Sequence, residues 1–207
     1  MVNNKIESNG NMVLSKKEKE EKIKLLTEKF EEIFDIMGFD IKNDIQMKDT
    51  PKRVAKMYIN ELLAGTYSEP PKITVFDNTK QYSEMVTLSG IELKSLCSHH
   101  FLPFLGRATI SYIPDKKVIG LSKLARIAEW FARRPQIQEE LTQQIADYIQ
   151  NILEPLGVAV YIEANHTCMS IRGVNGPLDS LMKTTALKGV FLDEPETRNE
   201  FMNMIKK

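Results

Sequence analysis

Ser95-Leu-Cys-Ser-His-His-Phe-Leu-Pro-Phe-Leu-Gly106 lies between two runs patterned as β-strands, and its reading decides the fold. Before it, Ile73, Val75, Val86, Leu88, Ile91, Leu93 and Leu96 mark strands leading into Cys97. After it, Gly106 to Pro114 sets Ala108, Ile110 and Tyr112 against Thr109, Ser111 and Ile113, the alternation of a half-buried strand. Pro103 to Gly106 is the expected hairpin turn between the two. The same stretch carries Cys97, His99 and His100, two of the three histidines and one of the two cysteines. The others, His166 and Cys168, stand together in Ala164-Asn-His-Thr-Cys-Met169. All the soft and borderline metal ligands thus fall into two short windows. If the windows meet, they offer two thiolates and up to three imidazoles, a zinc-type set.

Helices flank this strand region on both sides. Ser15 and Glu18 have the spacing of a capping box, and Ile23, Leu26, Phe30, Ile33, Phe34 and Met37 then recur at helical spacing up to Gly38. Asp49-Thr50-Pro51 predicts a second helix start, with Val54, Met57, Tyr58, Leu62 and Leu63 as its buried stripe and Gly65 as its end. Ser122 is the expected cap of a helix running to Arg134, and Pro135 opens another running to about Glu154. Gly157 to Ser170 reads as a strand ending in the second ligand window. Thr184 to Leu192 reads as a last strand, and Glu196 to Lys207 as a closing helix. The sum is an α+β domain on an antiparallel sheet. Residues 1–14 read as a flexible arm, 15–66 as a helical region and 67–207 as the domain that carries the sheet and both ligand windows.

Composition narrows the class without choosing a function. Hydrophobic content of 42% and charged content of 27% suit a globular protein with a real core. Lys+Arg and Asp+Glu balance at 28 each, so bulk charge points to neither nucleic acid nor membrane. No run approaches the length of a transmembrane helix, and the polar Met1–Asn11 lacks the apolar core of a signal peptide. A cytoplasmic location is therefore expected, where cysteines serve metals or catalysis rather than a Cys97–Cys168 disulfide.

Cys97-x-x-His100 places a thiolate and an imidazole close enough to share one ion, and Cys168 supplies a third ligand. Three protein ligands with an open fourth position are a catalytic pattern, because structural zinc is normally closed by four. Such an ion lowers the pKa of bound water to about 7. Spacing leaves open whether His99 or His100 is the ligand. It also leaves open a closed structural site that takes His166 as fourth ligand. Histidines not spent on metal suit general acid–base work.

Ser122, Lys123 and Arg126 cluster at a helix N-terminus, where free backbone N–H groups favour anions. With Arg53, Lys56 and Arg172 they form a phosphate pocket if they converge; each alone reads as surface charge. No Walker-type loop or G-x-G-x-x-G occurs. Glu139 in Arg133-Arg-Pro-Gln-Ile-Gln-Glu-Glu140 has the acceptor pattern to take paired hydrogen bonds from guanine N1–H and its amino group. The plainer reading is an acid favoured by the helix dipole.

Taken together, Thr50-Pro-Lys-Arg-Val-Ala-Lys-Met-Tyr58, Cys97-Ser-His-His100, Tyr112-Ile-Pro114, Val118-Ile-Gly-Leu-Ser-Lys123, Arg133-Arg-Pro-Gln-Ile-Gln-Glu139, Leu141-Thr-Gln-Gln-Ile145 and His166-Thr-Cys168 resemble GTP cyclohydrolase I, in the family's order from about Leu25 onward. The resemblance implies conversion of GTP and water to formate and 7,8-dihydroneopterin triphosphate, a first step of tetrahydrofolate and pterin biosynthesis. It implies Zn2+ held by Cys97, His100 and Cys168, with His99 and His166 as the proton-transfer pair and Ser122 assisting the later ribose rearrangement. Glu139, with Gln138 beside it, is implied as the guanine reader, and Arg53, Lys56, Lys123, Arg126 and Arg172 as triphosphate contacts. The implied architecture is the tunnelling fold. In it, antiparallel sheets of several subunits, helices on one face, close into barrels of a homodecamer with active sites at subunit interfaces. The sequence departs from the family at Ser98, where a glutamate usually stands between the cysteine and the histidine pair. The ligands survive that change, while a carboxylate that would orient them is missing. Ser98 keeps open a related cyclohydrolase that stops early or takes another nucleotide. A zinc-stabilised oligomer without catalysis is the reading from a different class. A zinc nucleobase deaminase is excluded, because its H-x-E and C-x-x-C signatures are absent.

Overall fold

The computed structural model describes residue 7 and residues 10–172 and 179–206. The start of the expected flexible arm, residues 1–6 and 8–9, lies outside the described residues, as does Lys207. The chain divides into two compact units, residues 1–69 and 70–207.

In the first unit, α1 (Lys16–Ile36) begins at the capping box its sequence announces. The Ser15 hydroxyl accepts from the Glu18 N–H, and the Glu18 carboxylate accepts from the Ser15 N–H at 2.7 Å. Two orphan donors of the first turn are thereby satisfied. The second helix, α2 (Thr50–Met57), has Pro51 in its first turn and runs on into a π-helical turn, Tyr58–Leu62. Asp49 does not cap it through its side chain as expected. Its carboxylate instead lies 3.5 Å from Arg53. Phe30 of α1 stacks on Tyr58, with ring centroids 6.1 Å apart. The end of the expected arm is tied down: the Asn11 amide donates to the carbonyls of Gly65, Thr66 and Ser68. The Met12 N–H adds a bond to the Thr66 carbonyl at 2.7 Å. Those carbonyls trail the last helical turn, where they need outside donors.

The second unit is built on a sheet of order β5-β2-β3-β6-β7. Its elements, in chain order, start with β1 (Val75–Asp77), β2 (Val86–Cys97), β3 (Pro103–Ile113) and β4 (Lys117–Ile119). Next come α3 (Leu121–Ala132), β5 (Pro135–Gln136), α4 (Gln138–Leu153) and β6 (Gly157–His166). The chain then forms α5 (Thr167–Ser170), β7 (Met182–Gly189), α6 (Val190–Asp193) and α7 (Pro195–Ile205). A separate short pair, β1 with β4, lies outside the main sheet. The class is α+β, as the sequence predicts, with one amendment: β5 pairs parallel to β2, so the sheet is mixed.

Alternation sorts side chains to the two faces of the sheet. Ile91 and Leu93 of β2, Phe104, Ala108, Ile110 and Tyr112 of β3, and Val158, Val160, Ile162 and Ala164 of β6 share the main core. Against them α3 packs Leu124, Ile127, Ala128 and Phe131, and α4 packs Leu141, Ile145, Ile149 and Leu153, spacings that put each set on one helical stripe. Each such large side chain contributes about 1.5–3 kcal/mol by leaving water, so Ile145→Ala in this layer costs about 2–5 kcal/mol. Ala159 and Tyr161 point the other way and meet Phe191 and Phe201 from α6 and α7. Helices therefore cover part of both faces rather than one, because β6 is apolar on both sides. Among the described residues, no helix is long and apolar enough to cross a membrane.

Several boundaries differ from the sequence reading: β6 gives way to α5 at Thr167 instead of running to Ser170, and β7 spans Met182–Gly189 rather than Thr184 to Leu192. The β2–β3 turn is residues 98–102, not Pro103 to Gly106, since Leu96 already pairs with Pro103. Gly120 precedes α3 as its cap residue, which leaves Ser122 inside the first turn. Pro135 opens a strand, and the helix starts only at Gln138. Proline lacks the donor that an interior strand needs, and at this short edge none is missed.

Candidate active site

The turn between β2 and β3 is built from the first ligand window. Cys97 ends β2; its N–H donates to the Leu102 carbonyl at 2.8 Å, and the Phe101 N–H returns to the Cys97 carbonyl at 2.9 Å. Phe101 closes the turn in the left-handed region at φ 53, a conformation that non-glycine residues visit only when the surroundings demand it. The result buries Cys97 and pushes His99 and His100 to the surface. The Ser98 N–H donates to the Gln136 carbonyl of β5 at 3.2 Å, extending the parallel pairing by one step.

The second window arrives by strand pairing. β3 and β6 run antiparallel with Phe104 opposite His166 and Gly106 opposite Ala164. Gly106 is required there: a Cβ would sit 2.0 Å from the Glu163 carbonyl oxygen. Past His166 the chain turns into α5, and the Thr167 hydroxyl donates to the Pro103 carbonyl. That bond pins the start of α5 to the start of β3 and delivers Cys168 beside the turn.

The two windows meet. One donor atom each from Cys97, His100 and Cys168 lie within 4.8 Å of one another. Two soft sulfur donors and one imidazole in so small a space suit a zinc-type ion, whose bonds to such atoms are about 2.0–2.3 Å. His166 is outside this trio, so the closed four-ligand alternative is not what the geometry forms. Both cysteines are free thiols. Burial pushes the Cys168 thiol up, as does the neighbouring Cys97, while Arg172 acts in the opposite sense. Arg172 donates from Nε to the Cys168 carbonyl at 2.7 Å and from Nη2 to His100 Nε2 at 3.0 Å. His99 keeps its Nδ1 3.9 Å from the Cys97 sulfur.

His166 has a different setting. Its ring lies flat on Phe104, centroids 4.7 Å apart and planes 7° from parallel. Its Nε2 is 2.9 Å from Gln138 Oε1. Burial holds the pKa of His166 below the usual imidazole value, against an upward pull from the Glu139 carboxylate. Glu139 itself is exposed in the first turn of α4. Gln138, read from the sequence as a substrate contact beside Glu139, is 0% exposed, and its amide is engaged with the protein.

The remaining residues singled out in the sequence sit on other elements. Ser122, Lys123 and Arg126 share the first turns of α3, with Ser122 and Arg126 exposed and Lys123 half-buried. Arg53 and Lys56 are exposed on α2 of the first unit. Two neighbours of the site escaped the sequence reading: Phe104, which it placed only in the expected hairpin turn, and Thr142, whose hydroxyl meets Thr184 at 2.6 Å. The spacing Gln138-x-x-x-Thr142 on a buried stripe was the available sign of a polar network.

Comparisons with known proteins follow the same lines. The sequence model of GTP cyclohydrolase I matches residues 26–206. The chain is 47% identical over 174 residues to "GTP cyclohydrolase 1" of Blochmanniella pennsylvanica, covering 84% of this chain and 78% of that protein. It is 44% identical over 176 residues to "GTP cyclohydrolase 1" of Haemophilus ducreyi, with 84% and 80% covered. Against "GTP cyclohydrolase 1" of Shewanella sp. (strain ANA-3) it is 45% identical over 195 residues, with 94% and 88% covered. The chain is an enzyme of the GTP cyclohydrolase I family.

Proposed function

We propose that this chain converts GTP and one net water to formate and 7,8-dihydroneopterin triphosphate. The observation that carries the reading is the Cys97–His100–Cys168 trio, three ligands where a structural site would have four. Bound there, Zn2+ would supply a water activated for attack on the purine C8 carbon. The chain's own residues do the rest. His166, half-buried on β6, and His99, at the hairpin turn, exchange protons with the opening imidazole ring. Glu139 accepts from guanine N1–H and its amino group. Lys123 and Arg126, with Arg53, Lys56 and Arg172, bind the triphosphate, and Ser122 assists the ribose rearrangement before ring closure. The main sheet leaves β7 and most of β2 at its edges. Such edges fit the proposed homodecamer, where sheets of several copies close a barrel and sites form between subunits. The domain reading stays as proposed: an arm at 1–14, a helical region at 15–66 and a catalytic domain from 67, working in the cytoplasm.

The test is to mix zinc-loaded protein with GTP and follow formate and pterin fluorescence together. Both products appearing is the expected result, and it would show that Ser98 is tolerated. Formate without a pterin would mean ring opening survives and closure does not. No product from protein that contains zinc would sink the enzyme reading.

A further inference from the structure

Gln138 and His166 sit in a closed polar network whose protons can be counted one by one. The Gln138 Nε2 lies 3.1 Å from the Ile162 carbonyl oxygen, 3.1 Å from the Met182 carbonyl oxygen and 3.0 Å from Thr184 Oγ1. Two of these partners are carbonyls, which only accept, so the amide nitrogen must face them. Turned over, the amide would press its own oxygen against both carbonyl oxygens in a buried site, an acceptor facing acceptors. The hydroxyls agree with this orientation. Thr142 donates to the Gln138 backbone carbonyl at 2.7 Å, so the bond between Thr142 and Thr184 takes its proton from Thr184. Thr184 Oγ1 is then left with a lone pair for the Gln138 amide.

With its nitrogen committed, Gln138 can show His166 only an acceptor, Oε1, at 2.9 Å from the ring Nε2. A donor must stand opposite. Phe104, itself 0% exposed, stacks on the ring at 4.7 Å and holds its plane, and a ring turned over in that plane would bring a carbon rather than a nitrogen to the amide. We propose that Gln138 is a positioning residue that holds the His166 proton on Nε2 and so makes Nδ1 the nitrogen that exchanges protons with substrate. The assignment rests on His166 acting in proton transfer, as proposed above, and it removes Gln138 from the residues that contact guanine. A buried partner of this kind fixes tautomer and ring orientation in the way a carboxylate or carbonyl does behind many functional histidines.

The experiment uses full-length, zinc-loaded protein labelled with 15N at histidine, whose three copies give three resolvable ring systems. Long-range 1H–15N spectra are taken above about pH 8, where an ordinary imidazole is neutral. A His166→Asn sample assigns the signals. The wild-type His166 should show the Nε2–H tautomer alone. Gln138→Met should give a mixture of tautomers, with kcat down about 10–100-fold and KM little changed. Thr184→Val, which loosens the amide without removing it, should move both readouts in the same direction by less, and it stands in if Gln138→Met does not fold. An Nδ1–H tautomer in the wild type would overturn the proposal. So would a rise in KM with an unaltered tautomer, which would return Gln138 to substrate binding. The spectra read the ring whether or not GTP is consumed. An Nε2–H ring in protein that makes no product would count against the proposed reaction and leave the positioning role standing.

Discussion

His100 and His166 are the same residue placed in opposite circumstances. His100 rides on a five-residue turn, exposed, held by one bond from an equally exposed Arg172 at 3.0 Å. His166 ends a central strand, half-buried, between an aromatic ring and a buried amide. The difference lies in what the backbone behind each can provide. A turn supplies few neighbours and leaves the side chain free to adjust to an incoming ion. A strand in mid-sheet fixes the residue's height and face, and the next layer then fixes its ring. The adjustable side of the site is the one proposed to bind metal, and the rigid side is the one proposed to move protons.

The strongest challenge to that division is Cys168→Ser. Losing one of three ligands should take metal content, read by elemental analysis, close to zero and turnover to background. Retained metal would show that another donor had taken the place of Cys168, and its loss on adding His166→Ala would show that the rigid side is not rigid. Next, His166→Ala and His99→Ala should each lower kcat by about 10²–10⁴ if both exchange protons with substrate. Only His166→Ala should also lower Tm, because it strips a packed ring from Phe104 while the His99 side chain leaves nothing empty. Equal Tm changes would erase the contrast.

Gly106→Ala tests what holds the two windows at the same height. The added Cβ meets backbone at 2.0 Å, so β3 and β6 must part. A loss at or beyond the upper end of about 1–3 kcal/mol in urea unfolding is expected, together with weaker metal binding. An unchanged metal affinity would mean the turn and α5 find each other without the sheet.

Arg172→Met probes the adjustable side. A guanidinium only donates, so His100 Nε2 must accept and the neutral ring carries its proton on Nδ1. Metal ligation through either nitrogen then requires that bond to break. Removing it should tighten zinc about 2–10-fold in chelator competition, the size of one hydrogen bond. Arg172→Lys separates that effect from the loss of charge, and wild-type affinity in both variants would refute it.

The smallest effect is away from the site. Burial, and then the Glu163 carboxylate at 2.9 Å, push the Tyr161 pKa up to about 12. A proton held more tightly in the folded than in the unfolded chain gives stability that is complete below the ordinary tyrosine value near 10. That stability is lost as pH rises through about 12. Tyr161→Phe should flatten the fall in Tm between these limits, and an unchanged slope would place its cause elsewhere.

Much of this arrangement could be read from the chain before any fold was known. Cysteine and histidine are few, so their clustering at 97–100 and 166–168 carries information that lysine or glutamate spacing does not. The capping box at Ser15 and Glu18 is legible because it is local, completed within one turn of backbone. The hairpin boundary was misplaced because Pro103 looks like a turn former. Its missing N–H is harmless at the first residue of a strand. The burial of Gln138 was missed for a related reason. Its partners lie 24 and 46 positions away, on β6 and β7, and the only sign near it in sequence is Thr142 one turn on.

The split of the ligands between a hairpin and a later strand also sets an order in time. A ribosome adds roughly 5–20 residues per second, so Cys97 and His100 leave it several seconds before Cys168 exists. The hairpin β2–β3 can form alone in that interval, since its contacts are local. Its thiol then waits, with α3 and α4 still to be made, for the strand that will cover it.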